Sequence, residues 1–375
     1  MNKLPNGWTE YKLKDLCVIN YGKGLGKSNI VNGNIPVYSS GGIIGFHNTY
    51  NVNSEGVIIG RKGNAGSVFY SDKPFFCIDT AFYIEPNNQY DLKYLFYKLV
   101  SMNLKNHKTG TAVPGLIRND IYKLSISIPP LDEQKRIASA LSKIDAYLEN
   151  TIKLIEEKER FKRGIAKKLL TCKEGENIPE ARFKGFEGEW EETQILEFVN
   201  NNIIKIEKGK SITKSKIEEG DIPVIAGGKT PPYYHNKYNY NFPCITISAS
   251  GSAGYVWFHD YKIWASDCHV IYTDNKRYNI KFLYHYLKNI QDLIYYLQVG
   301  GVQKHVYAKD LIKLNIPNIT IEEQEKIGGY LSLLDAEIDN LKKQKELIKE
   351  MKRGAMQKLL SGEVRLSKNE FNENI

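Results

Sequence analysis

The stretch Glu133–Leu170, EQKRIASALSKIDAYLENTIKLIEEKERFKRGIAKKLL, decides how the chain is read. Its seam residues Ile137, Leu141, Ile144, Leu148, Thr151 and Ile155 alternate steps of four and three, the spacing of a coiled-coil seam on one long helix. The stretch returns 190 residues later at Glu323–Leu360 as EQEKIGGYLSLLDAEIDNLKKQKELIKEMKRGAMQKLL. There Ile327, Leu331, Leu334, Ile338 and Leu341 repeat the same steps, and Ile348 follows. At a rise of 1.5 Å per residue, about 40 residues make a rod of roughly 60 Å. Pro129-Pro130 imposes an extended entry on the first helix. Thr320-x-x-Glu323 suits a capping box at the start of the second. Gly164 and Gly354 are expected to weaken each helix near its end.

Working outward, the repeat covers more than the helices. Asn34-Ile-Pro-Val37 matches Asp221-Ile-Pro-Val224, and Gly41 matches Gly228, at an offset of 187. Gly63-Asn-Ala-Gly66 matches Gly251-Ser-Ala-Gly254, and Asp79 matches Asp267, at 188. Asp120 matches Asp310 at 190, and the helices keep that offset. The chain is therefore two copies of one unit of about 190 residues.

Each copy opens with a segment punctuated by Gly and Asn around short β-branched and aromatic runs. Examples are Gly56–Gly60, Ser67–Tyr70, Cys244–Ser248 and Tyr255–Phe258, which read as strands joined by turns. Asp91–Val100 and Ile280–Leu287 carry helical apolar spacing, one helix in each copy. The expected fold class is α+β: two similar globular domains of mixed sheet plus helices. Two long helices, packed as an antiparallel coiled coil, separate them with pseudo-two-fold symmetry. The boundaries read as 1–130, 131–171, 172–319 and 320–365, with a tail at 366–375.

Of 375 residues, 25% are charged and 42% hydrophobic, an ordinary globular composition that excludes collagen-like and wholly disordered chains. Mean hydropathy is −0.42 and no run reaches 18 apolar residues, so no transmembrane helix is expected. Met1–Trp8 lacks the apolar core of a signal peptide. The five cysteines, Cys17, Cys77, Cys172, Cys244 and Cys268, form no Cys-x-x-Cys pair, which points to a reducing cytoplasm. The net charge is +9 and the pI about 9.0. Residues 1–130 carry +6 of it and residues 172–319 only +1. A polyanionic partner fits that balance.

Catalytic signatures are missing. Gly22–Ser28 is not a nucleotide loop, because Tyr21 holds the first glycine position and Gly33 and Pro36 follow where a helix must start. It reads instead as a basic loop, with Lys23 and Lys27, against a phosphate backbone. The sequence holds no His-Glu-x-x-His, no Gly-x-Ser-x-Gly and no adenine-methyltransferase tetrapeptide. This is the pattern of a protein that binds rather than catalyses.

Four features together resemble the specificity subunit of type I restriction-modification enzymes. They are the entries Leu4-Pro-Asn-Gly-Trp8 and Phe186-Glu-Gly-Glu-Trp190, the junction Arg182-Phe183-Lys-Gly-Phe186, the helix start Pro129-Pro-Leu131-Asp-Glu-Gln134, and the helix ends Lys168-Leu-Leu170 and Lys358-Leu-Leu360. The second copy departs from the pattern: its helix start reads Ile316-Pro-Asn-Ile, and its entry lacks Leu-Pro. The resemblance implies two target-recognition domains, each reading half of a bipartite double-stranded DNA site. It implies helices that set the spacer and dock two modification subunits. S-adenosylmethionine, and ATP with Mg²⁺ for restriction, would be used by modification and restriction/translocase subunits, with no cofactor or metal on this chain and no membrane partner.

Candidate base and phosphate contacts are loops that combine basic, amide and hydroxyl groups with glycine. In the first domain they are Ser39, Ser40, Arg61, Lys62 and Asn64, with Arg61 assigned to guanine and Asn64 to adenine. In the second they are Lys229, Thr230, Ser248, Ser250, Gln303, Lys304 and His305, the last three aligning with Val113-Pro114-Gly115. Open alternatives are an RNA-binding or scaffolding protein and an orphan subunit that retargets another complex. A self-contained methyltransferase lacks its cofactor motif.

Overall fold

The computed structural model describes residues 4–26, 29–108 and 115–366. The chain falls into two compact units, Met1–Ile152 with Lys343–Ile375, and Lys153–Lys342.

The first unit carries β1 (Thr9–Lys12), α1 (Leu13–Leu16), β2 (Asn20–Tyr21), β3 (Ile35–Ser39), β4 (Gly42–His47), β5 (Gly56–Gly60), β6 (Val68–Ser71), β7 (Phe76–Cys77), β8 (Ala81–Ile84), α2 (Leu92–Ser101), α3 (Arg118–Tyr122), β9 (Ser125–Ile128) and the start of α4 (Leu131–Leu170). A four-stranded sheet runs β2-β8-β5-β6, a three-stranded one β4-β3-β7, and β1 pairs with β9. β5 is buried at every position, which suits its unbroken Gly-Val-Ile-Ile-Gly run. Its Val57 and Ile59 pack with Phe82, Tyr94, Leu95, Ile137 and Leu141 in one core.

The second unit repeats this order with one added short helix, α7, where the first has a 3-10 turn at Leu104–His107. It has β10 (Glu191–Gln194), α5 (Ile195–Asn200), β11 (Ile204–Lys208), β12 (Ile222–Ile225), β13 (Tyr233–His235), β14 (Cys244–Ser248), β15 (Val256–His259), β16 (Trp264–Ala265), β17 (Cys268–Thr273), α6 (Ile280–Asn289), α7 (Gln291–Tyr296), α8 (Ala308–Leu311), β18 (Asn315–Asn318) and the start of α9 (Ile321–Ser361). Its sheets run β11-β17-β14-β15, β13-β12-β16 and β10-β18. The parallel pair β3·β7 has its counterpart in β12·β16. Gly60 faces Ala81, and its equivalent Ser248 faces Cys268, so Asp267 stands at the place of Thr80. The match of Asp79 with Asp267 is thus one residue out of strand register.

Both long helices run unbroken through Gly164 and Gly354, so the expected weakening leaves no break in the helical geometry. Ile137, Leu141, Ile327 and Leu331 are fully buried, and Leu334, Ile338 and Ile155 nearly so. Leu148 and Leu341 are half-buried. The first seam residues do more than face a partner helix. Ile137, Leu141 and the partly buried Ile144 join the first unit's core, and Ile327, Leu331 and Leu334 join the second unit's core. Within the second unit the two helices run antiparallel, since Lys158 pairs with Glu337 and Lys162 with Asp335. Within the first, Lys352 pairs with Asp145.

The paired Glu-Gln positions are buried clamps. Gln134 accepts from Asp91 N at 2.9 Å and donates to Pro129 O; Gln324 accepts from Asn279 N at 2.8 Å and donates to Ile319 O. Asp91 and Asn279 in turn cap α2 and α6. Glu323 takes both arms of Arg182 at 2.8 Å. Glu133 takes both arms of Arg365 at 2.5 and 2.6 Å. The capping box is therefore only half formed: Thr320 Oγ1 accepts from Glu323 N, while the Glu323 carboxylate turns to arginine. In the second unit one continuous stretch supplies both Arg182 and Trp190. In the first, Arg365 comes from the C-terminal end and donates to Asn6 O beside the N-terminal entry.

Among the described residues, no helix is long and apolar enough to cross a membrane.

Candidate nucleic-acid interface

In each unit the turns that follow β3, β5 and β7, or their equivalents, converge on one face. In the first, Arg61 N and Lys62 N both donate to Thr80 O, and Ser40 N donates to Thr80 Oγ1 at 3.4 Å. Leu116 N donates to Arg61 O at 2.8 Å, which brings in the segment before α3. In the second, Ala249 N donates to Asp267 O, Ser252 N to Gly227 O at 2.7 Å, and Val306 N to Ala249 O at 3.1 Å. Glycine makes these turns possible. Gly63, Gly66, Gly251 and Gly254 all have φ between +63° and +85°, the left-handed region. A Cβ at Gly66 would also lie 2.5 Å from Lys105 N.

The exposed candidates are Lys23, Lys62, Asn64, Lys229, Thr230, Gln303 and Lys304, and these present their side chains outward. Lys23 N is fixed to Cys77 O at 2.9 Å, so its side chain projects from a fixed point. Asn64 lies against the tip of the β3–β4 turn, its amide nitrogen 3.0 Å from the position a Gly41 Cβ would take. Lys229 and Lys288 sit 5.5 and 4.2 Å over the ring of Tyr255. Burial, then the neighbouring Lys229 and Lys162 charges, push the Lys288 amine below its ordinary value.

Six of the assigned side chains are instead engaged within the fold. Ser248 is 4% exposed and its hydroxyl bonds to Ala226 O, and Ser40 is 9% exposed, so both shape turns and neither faces outward. Ser39 Oγ spans its own turn, accepting from Gly41 N and donating to Gly42 O. Ser250 Oγ donates to the Asp267 carboxylate. Arg61 is half-buried, with its guanidinium 5.0 Å over Tyr21 and one arm donating to Asp79 O at 3.2 Å. This stacked and tethered head group is not the free fork that bidentate guanine pairing needs. His305 is half-buried and stacked on Tyr307. Lys27, Val113 and Pro114 lie outside the described residues, while Gly115 bridges to Lys62.

Sequence reasoning missed three members of this face. Arg118 lies 4.6 Å over Tyr21, so one exposed tyrosine ring carries two guanidiniums. Thr80 is the hub that ties two turns together. Val302 stands fully exposed at the tip of a closed turn. No local motif marks these residues, because strand pairing and turn closure bring them together from distant positions.

The family model for the type I restriction modification DNA specificity domain matches the chain twice, at residues 5–157 and 187–350. A putative type I restriction enzyme specificity subunit, MjaX, of Methanocaldococcus jannaschii is 30% identical over 82% of this chain and 77% of its own length. A putative type I specificity subunit of Mycoplasma genitalium is 27% identical over 91% of each chain. The crystal structure of a type I restriction-modification S subunit from M. genitalium aligns with a TM-score of 0.73 at 22% identity, over 95% of this chain and 97% of that one, a likeness of fold.

Proposed function

The chain belongs to the type I restriction-modification DNA specificity family, with two copies of the family's domain, and from that premise we propose how its two units read DNA. Each unit reads one half of a bipartite double-stranded target through the face where its turns converge. The observation that carries this reading is a doubled framework with unlike loops. Every strand pairing of the first unit recurs in the second, while the outward residues differ. One scaffold carrying two different sets of loop side chains suits two different half-sites.

Phosphate contacts supply affinity, and base-edge contacts supply sequence. Lys23, Lys62, Lys229 and Lys304 serve the first task, and Asn64 and Gln303 the second. The long helices set the spacer between half-sites and offer their outer faces to two modification subunits. This chain contributes recognition. In the assembled enzyme, S-adenosylmethionine on the modification subunits supplies the methyl group, and restriction/translocase subunits use ATP and Mg²⁺, all in the cytoplasm.

Methylome sequencing of a host that expresses this chain with its modification subunits tests the reading. The expected result is adenine methylation at one bipartite motif that disappears when the chain is omitted. Removing residues 148–154, one heptad, is expected to change the permitted spacer or abolish assembly. Methylation at the original spacer with full efficiency would refute the spacer role.

A further inference from the structure

Between α7 and α8 the chain makes a small closed turn. Val299 and His305 exchange two main-chain hydrogen bonds, each 2.9 Å, around residues 300–304. Gly300 has φ +110°, and a Cβ there would lie 2.3 Å from Gln303 O, so only glycine closes this turn. Its base is anchored on the second unit's candidate face. Val306 N donates to Ala249 O, the buried His269 ring nitrogen bonds Val306 O at 2.9 Å, and the His305 ring stacks on Tyr307 at 20°.

At the tip of this anchored turn Val302 is 106% exposed. A β-branched apolar side chain held wholly in water adds nothing to the fold and gains free energy only when another surface covers it. Its neighbours Gln303 and Lys304 are exposed as well. Valine, an amide and an ammonium at one tip are three complementary ways to meet DNA. Apolar groups contact the thymine methyl, glutamine bonds adenine N6 and N7 together, and lysine meets phosphate.

We propose that Val302 and Gln303 form a base-reading tip that selects an A·T pair in the major groove of the second unit's half-site, Val302 against the thymine methyl and Gln303 against adenine. This rests on the reading of the chain as a DNA specificity subunit. Cytosine lacks the methyl and guanine lacks the N6 donor, so a G·C pair at that position loses both contacts.

The test uses the assembled enzyme with wild-type chain, Val302→Ala, Val302→Ser and Gln303→Ala, with methylated positions mapped at base resolution. Thermal melting of each purified chain serves as a folding control, since the altered atoms are solvent-exposed. The expected result is relaxation at one A·T position in one half-site. The other half-site should be unchanged, and methylation of the original target should slow by about tenfold. A wild-type enzyme with a bipartite target, and variants that keep that target and rate, overturn the inference alone. Variants that fail to assemble with the other subunits while the assembled fraction keeps the wild-type target also overturn it, because the tip then docks protein. A wild-type enzyme with no bipartite target overturns the functional reading and this inference with it.

Discussion

Position for position, Tyr21, Arg61 and Arg118 of the first unit correspond to Lys208, Ala249 and Ala308 of the second. In the first, two guanidiniums stack on one ring at the centre of the converging turns. In the second that spot has lost both arginines, Asp267 replaces Thr80, and Ser250 binds it. The second unit's cations lie at Lys208 in the place of Tyr21, at Lys229 and Lys288 about Tyr255, and at Lys304, Lys309 and Lys313 near the closed turn. Glu133 and Glu323, Gln134 and Gln324, and the turn glycines keep their identities and roles, and Trp8 and Trp190 keep their identity and their burial. Residues that hold the frame are retained, and residues that face outward are exchanged.

The clamps allow the largest test of that division. Each buried glutamate is 2–3% exposed and depends on one arginine. Arg182→Ala leaves Glu323 buried without its charge partner and is expected to cost about 3–5 kcal/mol. The partners differ, however: the side chain of Arg182 is 15% exposed and that of Arg365 is 40%. Trp190 also donates to Glu323, whereas Trp8 Nε1 is buried with no hydrogen-bond partner among the described residues. Arg365→Ala is therefore expected to cost distinctly less, because the more exposed Arg365 head group is the more solvent-screened partner. Urea denaturation of the two variants measures the gap, and equal losses would show that solvent access does not distinguish the clamps.

Mild acid separates the units next. Burial holds the rings of His259 and His285 to about 3, the latter helped by Lys162 and Lys281. Both lie in the second unit, and Ser71 and Tyr97 stand in their places in the first. A histidine depressed on folding binds fewer protons folded than unfolded. Its neutral state is fully compatible with the fold above about pH 6.5, and stability falls as pH drops from there toward 3. Each ring is expected to cost roughly 2 kcal/mol at pH 5. Hydrogen exchange at pH 7 and pH 5, corrected for intrinsic rates, should show β14 and β17 losing protection before β5 and β8. His285→Tyr should remove about half of that difference. Uniform loss across both units would break the contrast.

A smaller contrast separates the turn glycines. Gly254→Ala puts alanine at φ +85°, 3.2 Å from Ile294 Cγ2 and 3.3 Å from the Ile294 carbonyl oxygen, and is expected to cost about 1–2 kcal/mol. Gly66→Ala adds a collision with the backbone of residues 104 and 105 and should cost more. Thermal melting orders the two, and an equal loss would show that the backbone approach is relaxed at no cost.

Most of the frame was legible in the chain because repetition is a one-dimensional signal. The 190-residue offset, the seam spacing and the paired Gly-x-Ala-Gly turns all survive without a structure. The clamps were half legible: Glu133-Gln134 and Glu323-Gln324 stood out as repeats. Their partners did not, since Arg182 lies 12 residues after Leu170 and Arg365 only 5 after Leu360. The candidate face was least legible. Ser40 and Ser248 carry the right chemistry but point inward, which depends on strand register and turn closure. Tyr21 and Arg118 meet across about a hundred residues of chain, and no spacing rule reaches that far.

Arg61 gives the smallest expected effect and the most discriminating one. As a guanine reader it would govern one base, and its loss would relax the target at that position. Stacked on Tyr21 beside Arg118 and tied to Asp79 O, it instead contributes positive charge from a fixed position. Arg61→Ala is therefore expected to weaken binding of the assembled enzyme alike on cognate and mismatched DNA, and to lower the slope of log affinity against log salt by about one. Tyr21→Leu, which removes the stacking surface and keeps the arginine, should move the same slope by less. The second unit supplies the control, because Ala249 already occupies that position: Ala249→Ser should leave slope and target unchanged. Relaxation at one base on Arg61→Ala, with the slope intact, would return Arg61 to base reading and would mean that the stack opens when DNA binds.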